Sequence, residues 1–196
     1  MDHRPDEELI IEFQSGNEEA LTMIFQRYKK PILNYALRIL GNRADAEDAT
    51  GEVFLALFAK KYRFDPKSKF STWLYTVTHN ICISKIRKRK WTVSLFVRRA
   101  NEEEPQEMEI PDTSFVPDEE LERKETALYV KNAIHKLPDL YKQALVLREY
   151  HDLSYEDISR VLNCSLEKVK ILIYRAREQL RHELPSFIKE GNRHGS

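Results

Sequence analysis

Four carboxylates fall within eight residues of this chain: Asp45, Glu47, Asp48 and Glu52, in the stretch "NRADAEDATGEVFLALF". Carboxylates this close can hold a metal ion or share general-acid and general-base work. At helical pitch Asp45, Asp48 and Glu52 share one face. No histidine joins them, and no partner motif appears elsewhere. Acids in the first turns of a helix are favoured by its dipole. The group is therefore read as a solvated acidic face, and as a docking patch for a basic partner, rather than as a catalytic or metal site. No cofactor is expected, and no enzymatic activity.

A different chemistry is written in "KFSTWLYTVTHNICISKIRKRK". Phe70, Trp73 and Tyr75 lie beside a dense basic helix end. Aromatic faces stack on unpaired bases while lysine and arginine hold the backbone, the combination used for single-stranded nucleic acid. The competing reading puts Phe70 and Trp73 in a hydrophobic core. A membrane-surface patch fits less well, because no apolar stripe faces the basic one.

The third stretch is "LSYEDISRVLNCSLEKVKILIYRAREQL", which has the layout of a helix-turn-helix. Ser154 and Asp157 stand at capping-box spacing. Asn163-Cys164 is a short turn in which Asn can take the left-handed conformation. Ser165 caps the second helix. At about 100° per residue, Val169, Ile173, Ala176 and Leu180 form its inner face. Lys168, Ile171, Tyr174 and Arg175 then point outward, flanked by Lys170 and Arg177. Such a helix can enter a DNA major groove, its basic residues on phosphates and a few side chains at base edges. The alternative is a solvated amphipathic helix in a bundle.

The elements that must position these groups are helices. Five Gly and eight Pro in 196 residues argue against a loop-rich β fold. Apolar residues recur at helical spacing from Leu9 to Tyr28. Pro31 is expected to open a further helix, which Gly41-Asn42 stops. "RFDPKSKF" reads as a turn before the helix that resumes at Ser71 with Leu74, Val77 and Ile81 as its buried stripe. Cys82 and Cys164 are far apart, without metal-ligand spacing, and read as two reduced thiols.

The formal net charge of zero conceals segregation. Residues 60–90 hold ten bases and one acid, residues 101–125 eleven acids and two bases, and residues 1–59 eleven acids and six bases. Such blocks suggest one surface for a polyanion and others that avoid it. The acidic, proline-containing stretch without periodicity reads as an extended linker, one that shields the basic surface in the free protein. The expected plan is all-α. A helical domain spans 1–92, a flexible acidic linker 93–125, and a second helical domain with the helix-turn-helix 126–190. No stretch approaches the roughly 20 apolar residues of a membrane span, and "MDHRPDEEL" has no apolar signal core. A cytoplasmic protein is expected.

These pieces, in this order, resemble a bacterial extracytoplasmic-function (group IV) sigma factor of the sigma-70 family. "GNRADAEDATGEVFLALF", "FDPKSKFSTWLY", "LPDLYKQALVLREYHDLSYEDIS" and "VKILIYRAREQL" each match a family motif, and together they cover nearly the whole chain. The resemblance implies an initiation factor that directs core RNA polymerase to promoters. It implies that Asp45, Glu47, Asp48 and Glu52 dock on the polymerase clamp. It implies melting and reading of the −10 element by Lys67, Lys69, Phe70, Ser71, Thr72, Trp73, Tyr75, Asn80, Arg87 and Lys88. Duplex −35 DNA would meet Ser165, Lys168, Lys170, Ile171, Tyr174, Arg175 and Arg177. Core RNA polymerase, promoter DNA and an anti-sigma factor are the partners it implies. Three departures from the family pattern stand out: Gly51 in the docking helix, "TVTHN" in the −10 segment, and "VKILIY" in the −35 helix.

Overall fold

In the computed structural model every element among the described residues is a helix. The structure describes residues 4–59, 64–65, 68–97 and 118–184, with the backbone alone for 92–97 and 118–125. The order is α1 (Asp6–Gln14), α2 (Glu18–Leu40), α3 (Arg43–Phe58), α4 (Phe70–Val97), α5 (Asp118–Lys136), α6 (Asp139–His151), α7 (Tyr155–Val161) and α8 (Leu166–Glu183). The all-α expectation holds.

Local sequence sets the helix ends. The Asn17 side chain accepts from the Glu19 N–H at 3.1 Å and so caps α2. Gly41 ends α2 with a φ of +86°, the left-handed region that glycine enters without strain. A side chain there would also meet His135 of α5, whose Cε1 stands 3.0 Å from the position of an added Cβ. Asn42 then caps α3, its side chain accepting from the Asp45 N–H at 2.7 Å.

One break expected from the sequence does not occur. Pro31 lies inside α2 and does not start a new helix. Proline removes one backbone bond and crowds the preceding turn. Here the helix is held on both sides of it, by Ala20 and Ile24 before and by Ile32, Tyr35 and Ala36 after, all fully buried. Tertiary packing outweighs the local preference.

Helices α1 to α4 make one half of the molecule, with α2 packed on α1, α3 and α4; α5 to α8 make the other, with α8 against α6 and α7. The halves touch: α4 lies on α7, and α2 on α6. The Arg38 guanidinium stacks 3.8 Å above the Tyr150 ring, and Lys90 Nζ is 3.2 Å from Asp139. The stretch read as linker begins and ends in helix, since α4 runs to Val97 and α5 starts at Asp118. Its middle, 98–117, lies outside the described residues, as does Lys67. Cys82 and Cys164 are both free thiols, and burial pushes the Cys82 thiol up to about 12, far from the thiolate form.

Candidate nucleic-acid interface

The helix-turn-helix is built as its sequence suggests. The Asp157 N–H donates to Ser154 Oγ at 3.0 Å, and the Ser154 hydroxyl donates back to Asp157 Oδ2 at 2.7 Å. Asn163 has a φ of +49°, the turn conformation its short amide side chain tolerates. Ser165 Oγ accepts from the Lys168 N–H at 3.2 Å and starts α8. Val169, Leu172, Ile173 and Ala176 are the buried face of α8. Leu180, expected in that stripe, is only partly buried; Leu172 takes its place in the core.

The outward face carries Ser165, Lys168, Lys170, Ile171, Tyr174, Arg175 and Arg177, all exposed. Ile171 is 50% and Tyr174 66% exposed, so this face of α8 leaves two large side chains in water. The cations are not equivalent. Arg177 is held by Glu149 of α6, with Nη2 at 2.6 Å and Nε at 3.2 Å. Arg175 reaches the Tyr141 hydroxyl at 3.4 Å. Lys168 and Lys170 make no ion pair among the described residues. They leave two strongly hydrated, unclamped charges beside Ile171.

The start of α4 is more buried than its sequence suggests. Phe70 is fully buried and Tyr75 is 4% exposed. Phe70 packs edge-on against Tyr28 at 5.5 Å and Phe64 at 5.7 Å, and its N–H donates to Glu7 of α1 at 2.8 Å. It is a core aromatic, seated where α1, α2 and α4 converge. Trp73 is half-buried, its ring 5.7 Å from both Phe64 and Phe70. Thr72 is buried, Ser71 half-buried, and Lys69, Asn80, Arg87 and Lys88 exposed. Thr72 Oγ1 donates to Asp157 Oδ1 at 2.8 Å, and the Tyr75 hydroxyl meets His151 Nδ1 at 2.7 Å.

The four acids of α3 are not a free anionic patch. Lys85 of α4 lies 2.7 Å from Glu52 and 3.1 Å from Asp48. Glu47 pairs with Arg43 at 2.8 Å, and Arg89 stands 3.8 Å from Asp45. The hydrogen bond to Glu52 raises the Lys85 ammonium above its ordinary value. What α3 does expose is apolar: Leu55 is 68% and Phe58 58% exposed. With Leu21, Thr22, Phe25, Gly51 and Phe54 they line a cleft of about 400 Å³. A Cβ added at Gly51 would have no neighbour within 4 Å beyond its own helix. The apolar surplus was present in the sequence. Leu55 and Phe58 lie beyond the stripe formed by Ala46, Ala49, Val53 and Leu57, so α3 has more apolar surface than one core face can take.

Residues 24–92 match Sigma-70 region 2, and residues 127–180 match Sigma-70 region 4. The ECF RNA polymerase sigma factor SigW of Bacillus subtilis is 34% identical over 176 residues, covering 89% of this chain and 94% of that protein. The chain belongs to the extracytoplasmic-function sigma factors. The RNA polymerase sigma-H factor of Pseudomonas aeruginosa is 27% identical, across 94% of this chain and 96% of its own. Among solved structures, the sigma factor RpoE of Bartonella quintana, crystallised with the anti-sigma factor NepR, superposes with a TM-score of 0.64 at 22% identity, covering 83% of this chain and 94% of that one. CnrH in complex with the cytosolic domain of CnrY gives 0.63 at 23%, covering 90% and 95%. Those two likenesses concern the fold. As a sigma factor the protein acts in transcription initiation, with core RNA polymerase and promoter DNA as partners, and sigma factors are not a class of enzyme. No helix among the described residues is long and apolar enough to cross a membrane.

Proposed function

We propose that this sigma factor divides its work between its halves. Residues 1–92 bind core polymerase and open the −10 element, residues 126–190 read the −35 duplex, and 93–125 tether the two. The observation that carries the reading is the outward face of α8: Ile171 and Tyr174 stand exposed between unclamped Lys168 and Lys170. An apolar centre with a cationic border suits a major groove, where methyl groups lie between two rows of phosphates. On α4, Trp73 and Asn80 are the accessible groups for unpaired bases, with Lys69, Arg87 and Lys88 for the backbone. On α3, the Leu55–Phe58 cleft supplies apolar docking area, and the acids around it give the rim its sign. Activity would then lie in the cytoplasm, where the polymerase is.

An anti-sigma partner is part of the same proposal. Of two solved proteins with this fold, one is described in complex with the anti-sigma factor NepR and the other with the cytosolic domain of CnrY, and the exposed apolar groups on α3 and α8 are surfaces such a partner could cover.

The test is transcription by core polymerase and the purified full chain on a promoter library. The expected result is initiation from templates sharing two spaced elements, lost when either is scrambled. Binding of the chain to duplex DNA without any stable complex with core polymerase would instead make it a repressor or activator.

A further inference from the structure

We propose that the chain closes on itself, with the Asp157 carboxylate taking the place on α4 that a phosphate of the −10 strand takes in the open form. The proposal rests on reading the start of α4 as the −10 surface. A threonine hydroxyl beside a lysine ammonium is a donor set that proteins use to hold nucleic-acid phosphates. Here one carboxylate occupies both donors. Asp157 Oδ1 accepts from Thr72 Oγ1 at 2.8 Å, and Oδ2 lies 3.2 Å from Lys69 Nζ. The Asp157 side chain is only 8% exposed. Burial pushes its carboxyl up, but the bonds from Ser154, Thr72 and Lys69 hold it below the ordinary carboxylate range. It is therefore an anion at neutral pH, as a phosphate is.

A second contact closes over the same helix. Tyr75 OH meets His151 Nδ1 at 2.7 Å, and the two rings lie 4.8 Å apart. Thr72 and Tyr75 thus bond to the C-terminal half, while the Tyr75 ring also lies edge-on to Tyr35 of α2 at 5.7 Å. Phe70 differs: its ring partners Tyr28, Phe64 and Trp73 all belong to the N-terminal half. Opening frees the Thr72 hydroxyl, the Lys69 ammonium and the Tyr75 hydroxyl for DNA and leaves Phe70 in the core.

The closure is built to be reversible. Asp157 keeps its capping bonds with Ser154 when the halves part, because both residues belong to the C-terminal half. Thr72 and Lys69 exchange the carboxylate for water. The buried His151 Nε2 has no hydrogen-bond partner among the described residues, and such an orphan disfavours the closed form. Contacts between domains of one chain resemble transient interfaces, for which motion is the default.

The experiment uses the full chain without polymerase, a fluorescent single-stranded oligodeoxynucleotide of mixed sequence, and small-angle scattering. Asp157→Asn should enlarge the radius of gyration and tighten oligonucleotide binding about tenfold, the effect of removing one charge-assisted bond. Cysteines at Lys90 and Asp139, joined by a short reducible cross-linker, should cancel that gain, and reductant should restore it. The same cross-link in an otherwise unaltered chain should weaken oligonucleotide binding, which keeps the test decisive if Asp157→Asn melts α7. An unchanged radius for a folded Asp157→Asn, or a cross-link without effect on binding, overturns the closure. An expanded Asp157→Asn whose affinity gain survives Lys69→Ala overturns the −10 reading, and the proposal with it.

Discussion

Lys85 Nζ sits 2.7 Å from Glu52 Oε1, tying α4 to the acidic face of α3. The Lys85 side chain is only 18% exposed, and its second partner is Asp48. Reversing both acids to lysine would set three cations together at a half-buried point. That double variant should lower thermal stability by several degrees, and so cannot report cleanly on polymerase docking. Asp48→Asn with Glu52→Gln is milder, and should cost about 1 kcal/mol or less for such exposed carboxylates. A melting curve for the lysine double variant that overlays the parent would show that Lys85 is not held by them.

Docking is better tested on the cleft. Leu55 and Phe58 are the large apolar groups that α3 leaves in water. Burying either in a partner is worth about 1.5–3 kcal/mol, and a few such anchors dominate most interfaces. Leu55→Ala should weaken core polymerase binding about tenfold, and Leu55→Ala with Phe58→Ala more, without loss of stability. Gly51→Gln should weaken it too, because its side chain would fill the cleft. Unchanged affinity of both alanine variants in equilibrium binding would remove α3 from the interface.

Trp73 has two roles to separate. It packs on Phe64 and Phe70, so Trp73→Ala should destabilise the N-terminal half. It is also the accessible aromatic of the −10 segment. Stacking on one base is worth about 1–3 kcal/mol. Trp73→Ala should therefore reduce open complex more than closed complex. Permanganate reactivity of the promoter bubble reads the first and a mobility shift at low temperature the second. Wild-type bubble reactivity in a folded variant would assign Trp73 to the core alone.

One buried and one half-buried histidine set an acid limit. Burial lowers both His79 and His151 to about 4, with Arg38 adding to the effect at His151. His79 shares a 3.0 Å contact with the Tyr35 hydroxyl. In the unfolded chain each takes its proton near the ordinary value of about 6.5. Between there and 4 the unfolded chain binds more protons, so stability rises with pH. It is full above about 6.5 and is lost as pH falls toward 4. At pH 5 the expected loss is about 1–2 kcal/mol per histidine. Urea midpoints that do not fall between pH 7 and pH 5 would contradict the desolvation of both rings.

Caps and periodicity were legible because they are local: Ser154, Ser165, Asn163 and the Val169–Ile173–Ala176 stripe all depend on residues within one or two turns. Pro31 misled for the same reason, since a local rule was applied where distant packing decides. The pairing of Lys85 with Glu52 and the Thr72–Asp157 bond could not be read. Each joins residues tens of positions apart, and a basic run looks the same whether its lysines face DNA or a neighbouring helix. Phe70 shows the limit for aromatics. Its type allowed stacking on bases or burial in a core, and only the convergence of α1, α2 and α4 around it decides for the core. The apolar excess on α3 was visible but lay beside the acids, whose charge drew the docking assignment.

The hydrophobic centre of α8 supplies the last prediction. Ile173 and Leu172 need no partner outside the chain, since both are buried. Ile171 is half exposed. Isoleucine offers no hydrogen bond to a base, but it can pack on a thymine methyl in the major groove. Lys168 and Lys170 would fix the helix by phosphate contacts, and Arg175 would join them on releasing Tyr141. Arg177 contributes less, because leaving Glu149 costs it two charge-assisted hydrogen bonds to one carboxylate oxygen. Removing phosphate contacts weakens every sequence alike and lowers the salt slope by about one per lysine lost. Removing a methyl contact weakens one position only. Replacing each thymine of the −35 site with uracil, one at a time, should therefore weaken holoenzyme binding at one position, and Ile171→Ala should abolish that difference. If every uracil substitution binds as the parent does, Ile171 is not reading a methyl, and its exposure marks a surface for a protein partner.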